Sequence, residues 1–489
     1  MPEAPDSPRF RRLAQVAGPL LFVVVLAFGP AELTPAARRT LGIAAWMVVW
    51  WITECVPIIA TSILPLALFP ALGVAGTREA AAPYANDLIF LFLAGFLLAA
   101  ALERWESHVR VAYRMVLATG LSGRRVVLGV MLATGFISMW ISNTATAAMM
   151  YPIAMAIGAL FAPGADGDRS RTALMLGVAY AASIGGMSTL IGTPPNLVLA
   201  ASMQELTGSA ISFADFMAMG VPIALVLLPV CWVILVFVAF PVRTGIEGDA
   251  GGMLRSRLHA LGPVRGGEAR VLLIFVAAVL GWFFRERKEF DGFAVPGLVD
   301  LFPAVSDASI GMAAAVLLFV VQGTTREGTR RPLLLWAEAR TIPWDVLLFF
   351  GGGLTLASAI EAHGITTWMA AGLERLRGLP PAVIYLGLGA TVLVLSELAS
   401  NTAVAAMTMP IAAALAASVN QSPVVLMLVA GFAASTGFAL PVATPPNAIV
   451  FGSGMITVRQ MARAGIILDV IAVGVIAALV ALLAPLVLG

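Results

Sequence analysis

Two short polar motifs, each present twice, carry the side chains of this sequence that are best suited to bind a small ligand. The tripeptide Ser-Asn-Thr occupies positions 142–144 and again 400–402, each time inside a long apolar stretch. Asparagine offers an amide donor and a carbonyl acceptor, and serine and threonine offer hydroxyl groups. Burying such groups in an apolar environment is costly, so two copies predict a shared binding role. For either copy alone, helix capping or hydrogen bonds between helices would also explain the motif.

The second motif is Thr-Pro-Pro-Asn, at 193–196 and 444–447. Its two prolines remove two backbone donors, and Gly192 permits an unusual turn, so the helix is expected to unwind there. Carbonyl groups freed before the prolines can coordinate a cation, and the N–H groups at a helix start favour an anion. The alternative is a plain proline kink without a binding role.

The charge pattern restricts the chemistry further. Neither motif contains a lysine or an arginine. An anionic ligand would then be held by amides, hydroxyl groups, helix N-termini and bound cations, which suits a ligand that binds together with Na⁺. The sequence has no Ser-His-Asp set, no cluster of metal ligands and no phosphate-binding loop. We therefore predict that the protein is not an enzyme and uses no organic cofactor. With a net charge of +2 in short scattered clusters, nucleic acid is not an expected partner.

The elements that carry these motifs must lie in a lipid bilayer. Hydrophobic residues make up 60% of the chain and charged residues only 11%, against about 25% charged in soluble domains. Long apolar runs without polar alternation predict an all-α integral membrane protein rather than a barrel. Eleven spans are predicted, at about 14–33, 41–54, 56–74, 86–103, 173–206, 214–240, 268–284, 305–322, 343–361, 423–455 and 462–487.

Two further apolar stretches, about 126–161 and 381–418, each have a Ser-Asn-Thr motif in the middle. We interpret them as re-entrant hairpins that enter and leave on the same side, because irregular backbone at membrane depth is tolerated only inside protein or beside water. If all four arms crossed the membrane instead, the chain would make fifteen crossings.

An internal repeat relates the two halves of the chain. A shift of 258 positions aligns Asp87 with Asp345, Ser138 with Ser396, and one Ser-Asn-Thr motif with the other. After a deletion of seven residues, the two Thr-Pro-Pro-Asn motifs also align. The partner of the fourth predicted span is the ninth, five spans further along the chain, so the repeats have opposite topology. Inverted repeats with broken helices are typical of secondary transporters.

The basic residues predict the orientation. With the N-terminus in the cytoplasm, 21 of the 29 lysines and arginines fall on the inner side, in agreement with the positive-inside rule. The expected location is therefore the plasma (inner) membrane, crossed several times.

At these residues the chain resembles the divalent anion–sodium symporter family, of the bacterial dicarboxylate carrier type. The resemblance covers nearly the whole chain. It is carried by both copies of each motif, by Trp50-Trp51-Ile52-Thr53-Glu54-Cys55-Val56-Pro57 and by Ala101-Leu102-Glu103-Arg104-Trp105.

The resemblance implies a homodimer that works by an elevator mechanism, with a fixed scaffold domain and a moving transport domain. The expected domains are scaffold helices at 1–85, the first repeat at 86–240 with tip 142–144 and break 192–196, a linker and scaffold helices at 241–342, and the second repeat at 343–489 with tip 400–402 and break 443–447.

It also implies the residues of the site. One Na⁺ would bind Ser138, Ser142, Asn143 and Gly192, and a second would bind Ser396, Ser400, Asn401 and Ala443. Substrate carboxylates would meet Asn143, Thr144, Ser400, Asn401 and Thr402, with Thr193, Pro194, Thr444 and Pro445 lining the site. Since Ala443 would act through its backbone carbonyl, its difference from Gly192 matters little.

The expected function is Na⁺-coupled uptake of C4-dicarboxylates such as succinate, fumarate and malate. The alternatives are a carrier for citrate, sulfate or another divalent anion, an exchanger, and an anion channel. Exchangers that do not use Na⁺ would be expected to place a basic side chain at the cation position, and neither motif has one nearby.

Overall fold

The first half of the molecule is a succession of helices. The structure is a computed structural model that describes residues 8–243, 249–264, 266–290 and 293–488. The α-helices of this half are α1 (Pro8–Phe28), α2 (Pro35–Thr53), α3 (Ile58–Ser62), α4 (Leu64–Leu72), α5 (Thr77–Ala81), α6 (Asp87–Arg104), α7 (Ser107–Thr119), α8 (Gly123–Ser138), α9 (Asn143–Gly158), α10 (Ala165–Gly186), α11 (Pro194–Thr207) and α12 (Phe213–Val233). A 3-10 turn covers Ala82–Ala85, and α12 continues as a π-helix over Ile234–Ala239.

The middle of the chain corrects the all-α prediction. It contains two small antiparallel hairpins, in which Lys288 pairs with Val295 and Gln322 with Pro332. Backbone groups that leave a helix need new partners, and pairing with the next segment satisfies them. The elements here are α13 (Ala250–Ala260), α14 (Gly266–Phe283), β1 (Lys288–Phe290), β2 (Phe293–Val295), α15 (Leu298–Leu301), α16 (Asp307–Val320), β3 (Gln322–Thr324), β4 (Arg330–Pro332) and α17 (Trp336–Ala339).

The second half is again helical and follows the order of the first. It comprises α18 (Trp344–Ala362), α19 (Ile365–Gly372), a 3-10 turn at Glu374–Leu376, α20 (Pro381–Leu398), α21 (Asn401–Val419), α22 (Pro423–Ala434), α23 (Pro445–Phe451) and α24 (Val458–Val487).

Both apolar runs with a Thr-Pro-Pro-Asn motif contain a helix break, but the non-helical residues are 187–193 and 435–444, further upstream than the predicted bounds 192–196 and 443–447. The apolar run 173–206 is divided into α10 and α11, and the run 423–455 into α22 and α23. In both runs the second helix starts with a proline, Pro194 or Pro445, at its first position. Proline suits that position because the N–H it lacks would have no partner inside the helix. Helices α8 and α9, and likewise α20 and α21, separate at the Ser-Asn-Thr motifs.

Much of the described chain can cross a membrane. Eight of its helical segments combine sufficient length with sufficient apolarity: Arg9–Phe28, Thr77–Arg104, Phe213–Ala239, Gly266–Phe283, Trp344–Ala362, Pro381–Leu398, Asn401–Val419 and Val458–Val487. Of the two predicted hairpins, the second has arms of 18 and 19 residues and the first has arms of 16 each. At 1.5 Å per residue, the arms of the second hairpin are each long enough to span a bilayer core.

The interior is built around α10, whose residues are all buried from Thr172 to its end at Gly186. A helix buried on every side must be enclosed by other elements, and α10 packs against α8, α9, α12 and α23. The two halves also exchange contacts, because α9 packs on α23 and α11 packs on α21. Each motif-bearing helix of one half thus lies beside a motif-bearing helix of the other.

Candidate functional site

Three elements meet at the first Ser-Asn-Thr tip. Ser142 caps α9, where its hydroxyl accepts a hydrogen bond from the N–H of Ala145 at 3.4 Å. Asn143 is the first residue of α9, and its amide oxygen accepts a hydrogen bond from the Ser138 hydroxyl at the end of α8, at 2.8 Å. Its amide nitrogen faces the Thr193 hydroxyl of the helix break at 3.4 Å. The structure therefore joins the predicted site residues Ser138, Asn143 and Thr193.

Two glycines of the first half leave room for this arrangement. A Cβ atom built on Gly186 would lie only 2.0 Å from the amide oxygen of Asn143. A Cβ atom on Gly192 would lie 2.4 Å from the carbonyl oxygen of Gly186. Both distances are far below van der Waals contact, so the close approach of tip and break depends on glycine at these two positions.

The second tip is arranged differently. The Ser396 hydroxyl donates to the carbonyl of Ala434 at 3.1 Å rather than to the asparagine of its tip. The amide oxygen of Asn401 is buried and accepts no hydrogen bond from any described residue. Ser400 precedes α21 without a side-chain capping bond. A buried amide oxygen without a donor is costly unless a ligand completes it, so this tip suits a bound cation.

The last residue of each Thr-Pro-Pro-Asn motif bridges its helix break. The amide nitrogen of Asn196 donates to the carbonyls of Gly186 at 2.9 Å and Thr189 at 2.7 Å. Asn447 makes the equivalent bonds to Gly437 at 3.0 Å and Leu440 at 2.9 Å.

No role was predicted for these two asparagines, although their position in a duplicated motif was a usable signal. Both are fully buried. Their amides satisfy carbonyls that the unwound helix has released, and so hold each break in one shape.

The predicted site residues differ in exposure. Ser138, Gly192, Thr193, Ser396, Ala443 and Thr444 are buried; Ser142, Asn143, Pro194, Ser400, Asn401 and Thr402 are half-buried; Thr144 and Pro445 are exposed. This mixture fits a site that is packed on one side and open to a ligand on the other.

The electrostatics of the tips come from dipoles rather than from basic side chains. The hydrogen bonds of Ser138, Asn143 and Thr444 in the described chain involve no lysine or arginine. Helices α9, α11 and α21 begin at the motifs with 14 to 19 residues each. Their N-termini favour negative charge, and the adjacent amide and carbonyl oxygens favour a cation. The site can therefore hold an anion and a cation together.

A separate polar cavity of about 610 Å³ lies between α6, α12, α16 and the end of α24. Its lining includes Asp87, Arg285 and Asp307, and the guanidinium of Arg285 pairs with the Asp307 carboxylate at 3.0 Å. None of its lining residues belongs to a Ser-Asn-Thr or Thr-Pro-Pro-Asn motif, so this cavity is distinct from the site at the tips.

Fold and site together define a class of protein, a polytopic helical membrane transporter with duplicated helix breaks. The family model described as "Sodium:sulfate symporter transmembrane region" matches residues 10–488. The chain therefore belongs to this family, the divalent anion–sodium symporters, as its motifs predict.

Similar proteins agree with this assignment. The protein named sodium-dependent dicarboxylate transporter SdcS from Staphylococcus saprophyticus is 42% identical over 484 residues, which cover 97% of this chain and 91% of that protein. SdcS from Staphylococcus aureus strain bovine RF122 is 40% identical over 486 residues, with the same coverage. Among solved structures, MtrF of Neisseria gonorrhoeae, described among antimetabolite efflux pumps, aligns with a TM-score of 0.56 over 96% of both chains at 12% identity. At that identity the likeness to MtrF concerns the fold alone.

Proposed function

We propose that this protein is a secondary active transporter that couples Na⁺ to the uptake of C4-dicarboxylates such as succinate, fumarate and malate. The observation that carries the proposal is the pair of asparagine tips, neither of which hydrogen bonds to a basic side chain in the described chain. In the first tip the amide oxygen of Asn143 accepts a hydrogen bond from the Ser138 hydroxyl. In the second tip the buried amide oxygen of Asn401 has no donor among the described residues. The relatives named as sodium-dependent dicarboxylate transporters support both the coupling ion and the substrate.

Two Na⁺ sites are part of the proposal. Both would use side-chain hydroxyl and amide oxygens together with backbone carbonyls at a helix break, as expected for a hard monovalent cation beside unwound helices. The first site comprises Ser138, Ser142, Asn143 and Gly192, and the second Ser396, Ser400, Asn401 and Ala443.

The substrate would bind between the tips. Its carboxylates would receive hydrogen bonds from amides, hydroxyl groups and helix N-termini. The proposed contacts are Asn143, Thr144, Ser400, Asn401 and Thr402, with Thr193, Pro194, Thr444 and Pro445 around them. The contacts of α9 with α23 and of α11 with α21 support a shared site, since they bring the two repeats side by side.

The proposed mechanism is alternating access of the elevator type in a homodimer. The repeats at 86–240 and 343–489 would carry the tips at 142–144 and 400–402 and the breaks at 192–196 and 443–447. The segments 1–85 and 241–342 would supply scaffold helices. We place the N-terminus in the cytoplasm and count eleven crossings plus two re-entrant hairpins in the plasma membrane.

Uptake is expected to require Na⁺. Purified protein in proteoliposomes should accumulate radiolabelled succinate when an inward Na⁺ gradient is imposed. Choline should not replace Na⁺, and Li⁺ should replace it poorly, because the oxygen-lined sites leave no basic group to take over the role of the cation. Equal accumulation in choline buffer would contradict Na⁺ coupling.

The same assay separates the competing functions. Unlabelled citrate or sulfate that suppresses succinate uptake better than fumarate does would indicate another substrate. Flux that neither saturates nor depends on Na⁺ would indicate a channel. Uptake that requires a dicarboxylate inside the vesicles would indicate exchange.

The two tips are expected to face opposite sides of the membrane. Single cysteines placed beside Asn143 and beside Asn401, in a background without Cys55 and Cys231, can be tested with an impermeant thiol reagent in sealed cells and in inverted vesicles. Each tip should react from one side only, and the sides should differ. Labelling of both tips from the same side would rule out inverted repeats.

A further inference from the structure

Two acidic side chains lie buried in the second half of the molecule. Burial of a charged group in an apolar environment costs free energy. Glu397, near the end of α20, is 8% exposed, and Asp469, in the middle of α24, is 4% exposed. A buried carboxylate needs hydrogen-bond donors close by. Neither residue belongs to a motif used above, so their partners indicate what they do.

The partners are three successive backbone N–H groups of one loop. The two carboxylate oxygens of Glu397 accept from Ala439 at 2.8 Å and from Leu440 at 2.9 Å. Asp469 accepts from Phe438 at 3.2 Å. The carboxyl groups of Glu397 and Asp469 are also close enough to interact electrostatically. We call these two residues the carboxyl pair. Hydrogen bonds to charged groups are stronger than neutral ones, so the pair fixes the loop firmly.

That loop leads directly to the second helix break. The carbonyl of Leu440, whose N–H is held by Glu397, accepts a hydrogen bond from the N–H of Ala443 at 3.2 Å. It also accepts the bond from Asn447 described above. On the other side, a Cβ atom on Gly437 would lie 3.6 Å from the carbonyl oxygen of Ser396, the residue next to Glu397. The carboxyl pair is therefore one hydrogen bond away from the backbone proposed to hold the second Na⁺.

Among the residues of the first half that the structure describes, there is no equivalent pair of acidic side chains at the helix break. Met139 stands where the repeat places Glu397 in the second half. Helix α10 continues to Gly186, whereas α22 ends at Ala434, three residues before the matching Gly437. The first half keeps its backbone bonds local, for example from Ser188 to Gly185 at 3.0 Å. In the second half the helix before the break ends earlier, and the N–H groups that it leaves without a helical partner donate hydrogen bonds to the carboxyl pair.

The loop is also shielded on the side of α10. The ring of Tyr180 lies 5.2 Å from the ring of Phe438, and its hydroxyl donates to the carbonyl of Met461. A Cβ atom on Gly465 would lie 2.2 Å from the carbonyl oxygen of Phe438. Helices α10 and α24 thus pack closely against the loop, while the carboxyl pair accepts hydrogen bonds from its N–H groups.

We propose that Glu397 and Asp469 are positioning residues for the second cation site of the transporter. They touch neither cation nor substrate. They hold Phe438, Ala439 and Leu440 in the conformation that aims the carbonyls around Ala443 at the cation. The inference rests on the proposed function, because it assumes that a cation binds at the second tip.

The decisive variant is Glu397→Gln, which keeps the shape of the side chain but has only one acceptor oxygen for two N–H groups. In proteoliposomes, the Na⁺ concentration that gives half-maximal succinate uptake should rise about tenfold, as expected for the loss of one charge-assisted hydrogen bond. The maximal rate at saturating Na⁺ should stay within about twofold, since the pair does not touch the substrate. Hydrogen–deuterium exchange of the segment 436–445 should become faster, because its N–H groups lose an acceptor.

Two further variants keep the test specific. Glu361→Gln removes an exposed acid in the same half and should change neither the Na⁺ dependence nor the exchange. The double variant Glu397→Asp with Asp469→Glu moves one methylene from one partner to the other, and should restore much of the Na⁺ affinity that Glu397→Asp alone loses. A general need for a negative charge would not produce that rescue.

The proposal would be overturned if Glu397→Gln changed neither the Na⁺ dependence of uptake nor the hydrogen–deuterium exchange of the segment 436–445. If that variant does not fold, the comparison of Glu397→Asp with its double variant decides in the same way: absence of rescue counts against a positioning pair. If wild-type uptake proves independent of Na⁺, the proposed function fails instead. Hydrogen–deuterium exchange of the segment 436–445 then still shows whether the carboxyl pair holds the loop.

Discussion

Replacement of Asn143 or Asn401 by aspartate is expected to abolish dicarboxylate transport. A C4-dicarboxylate brings two negative charges into a site that lacks lysine and arginine. Helix N-termini supply about 0.3–1 kcal/mol per charge when exposed and up to about 2 kcal/mol when partly buried. The desolvation of each carboxylate costs several kcal/mol, so bound Na⁺ and amide hydrogen bonds must supply the difference.

The asparagine tips can serve both ligands at once, with the amide oxygen toward Na⁺ and the amide nitrogen toward the carboxylate. Aspartate keeps the shape, loses the donor and repels the substrate. The measurement is binding of succinate and of Na⁺ to each purified variant that elutes as a folded protein. Near-normal succinate affinity in Asn143→Asp and Asn401→Asp would mean that the ligand binds elsewhere.

Substitution of the neighbouring threonines is expected to have a smaller effect than substitution of the asparagines. Thr144→Ala and Thr402→Ala should weaken succinate binding by about 1–3 kcal/mol, because a carboxylate oxygen of the bound ligand loses a hydrogen-bond donor. Na⁺ binding should change less than succinate binding.

Substitution of Gly186 by alanine is expected to eliminate coupled transport while the protein still folds. The new Cβ atom would lie 2.0 Å from the amide oxygen of Asn143. The atom that must give way is the end of a side chain, so the backbone can stay in place while the asparagine swings out of the site. The loss should therefore appear in Na⁺ and succinate binding rather than in folding.

Gly158→Ala is the matched control for this substitution. Gly158 also ends a helix of the first half, but the nearest atoms to its added Cβ lie at 3.8 Å, which is ordinary contact. Both variants should show melting temperatures close to wild type in detergent, and only Gly186→Ala should lose uptake. Normal Na⁺-dependent uptake by Gly186→Ala would show that the position of the Asn143 amide is not needed for coupling.

The sequence by itself determined the class of the protein and the places where its helices break. Apolar runs of about 20 residues form helices in lipid, because a helix satisfies all backbone hydrogen bonds within the segment. The Pro-Pro pairs that begin at 194 and 445 favour the start of a new helix, because proline lacks the N–H that would continue the old one and suits the first helical position. These are local effects. Their duplication, together with the family resemblance, pointed to the candidate site residues Ser138, Asn143 and Thr193, which hydrogen bond to one another in the structure.

Only the tertiary structure decided how far each break unwinds. The expected breaks, 192–196 and 443–447, have the same length, yet α10 ends at Gly186 whereas α22 ends at Ala434, three residues before the matching Gly437. The extra unwinding in the second half is stabilised by Glu397 and Asp469, which lie on helices remote in sequence from the loop they hold. Local sequence around the break contains no sign of these acceptors. A backbone N–H is satisfied by whichever group the fold brings next to it, and that group is known only once α20 and α24 are packed against the loop.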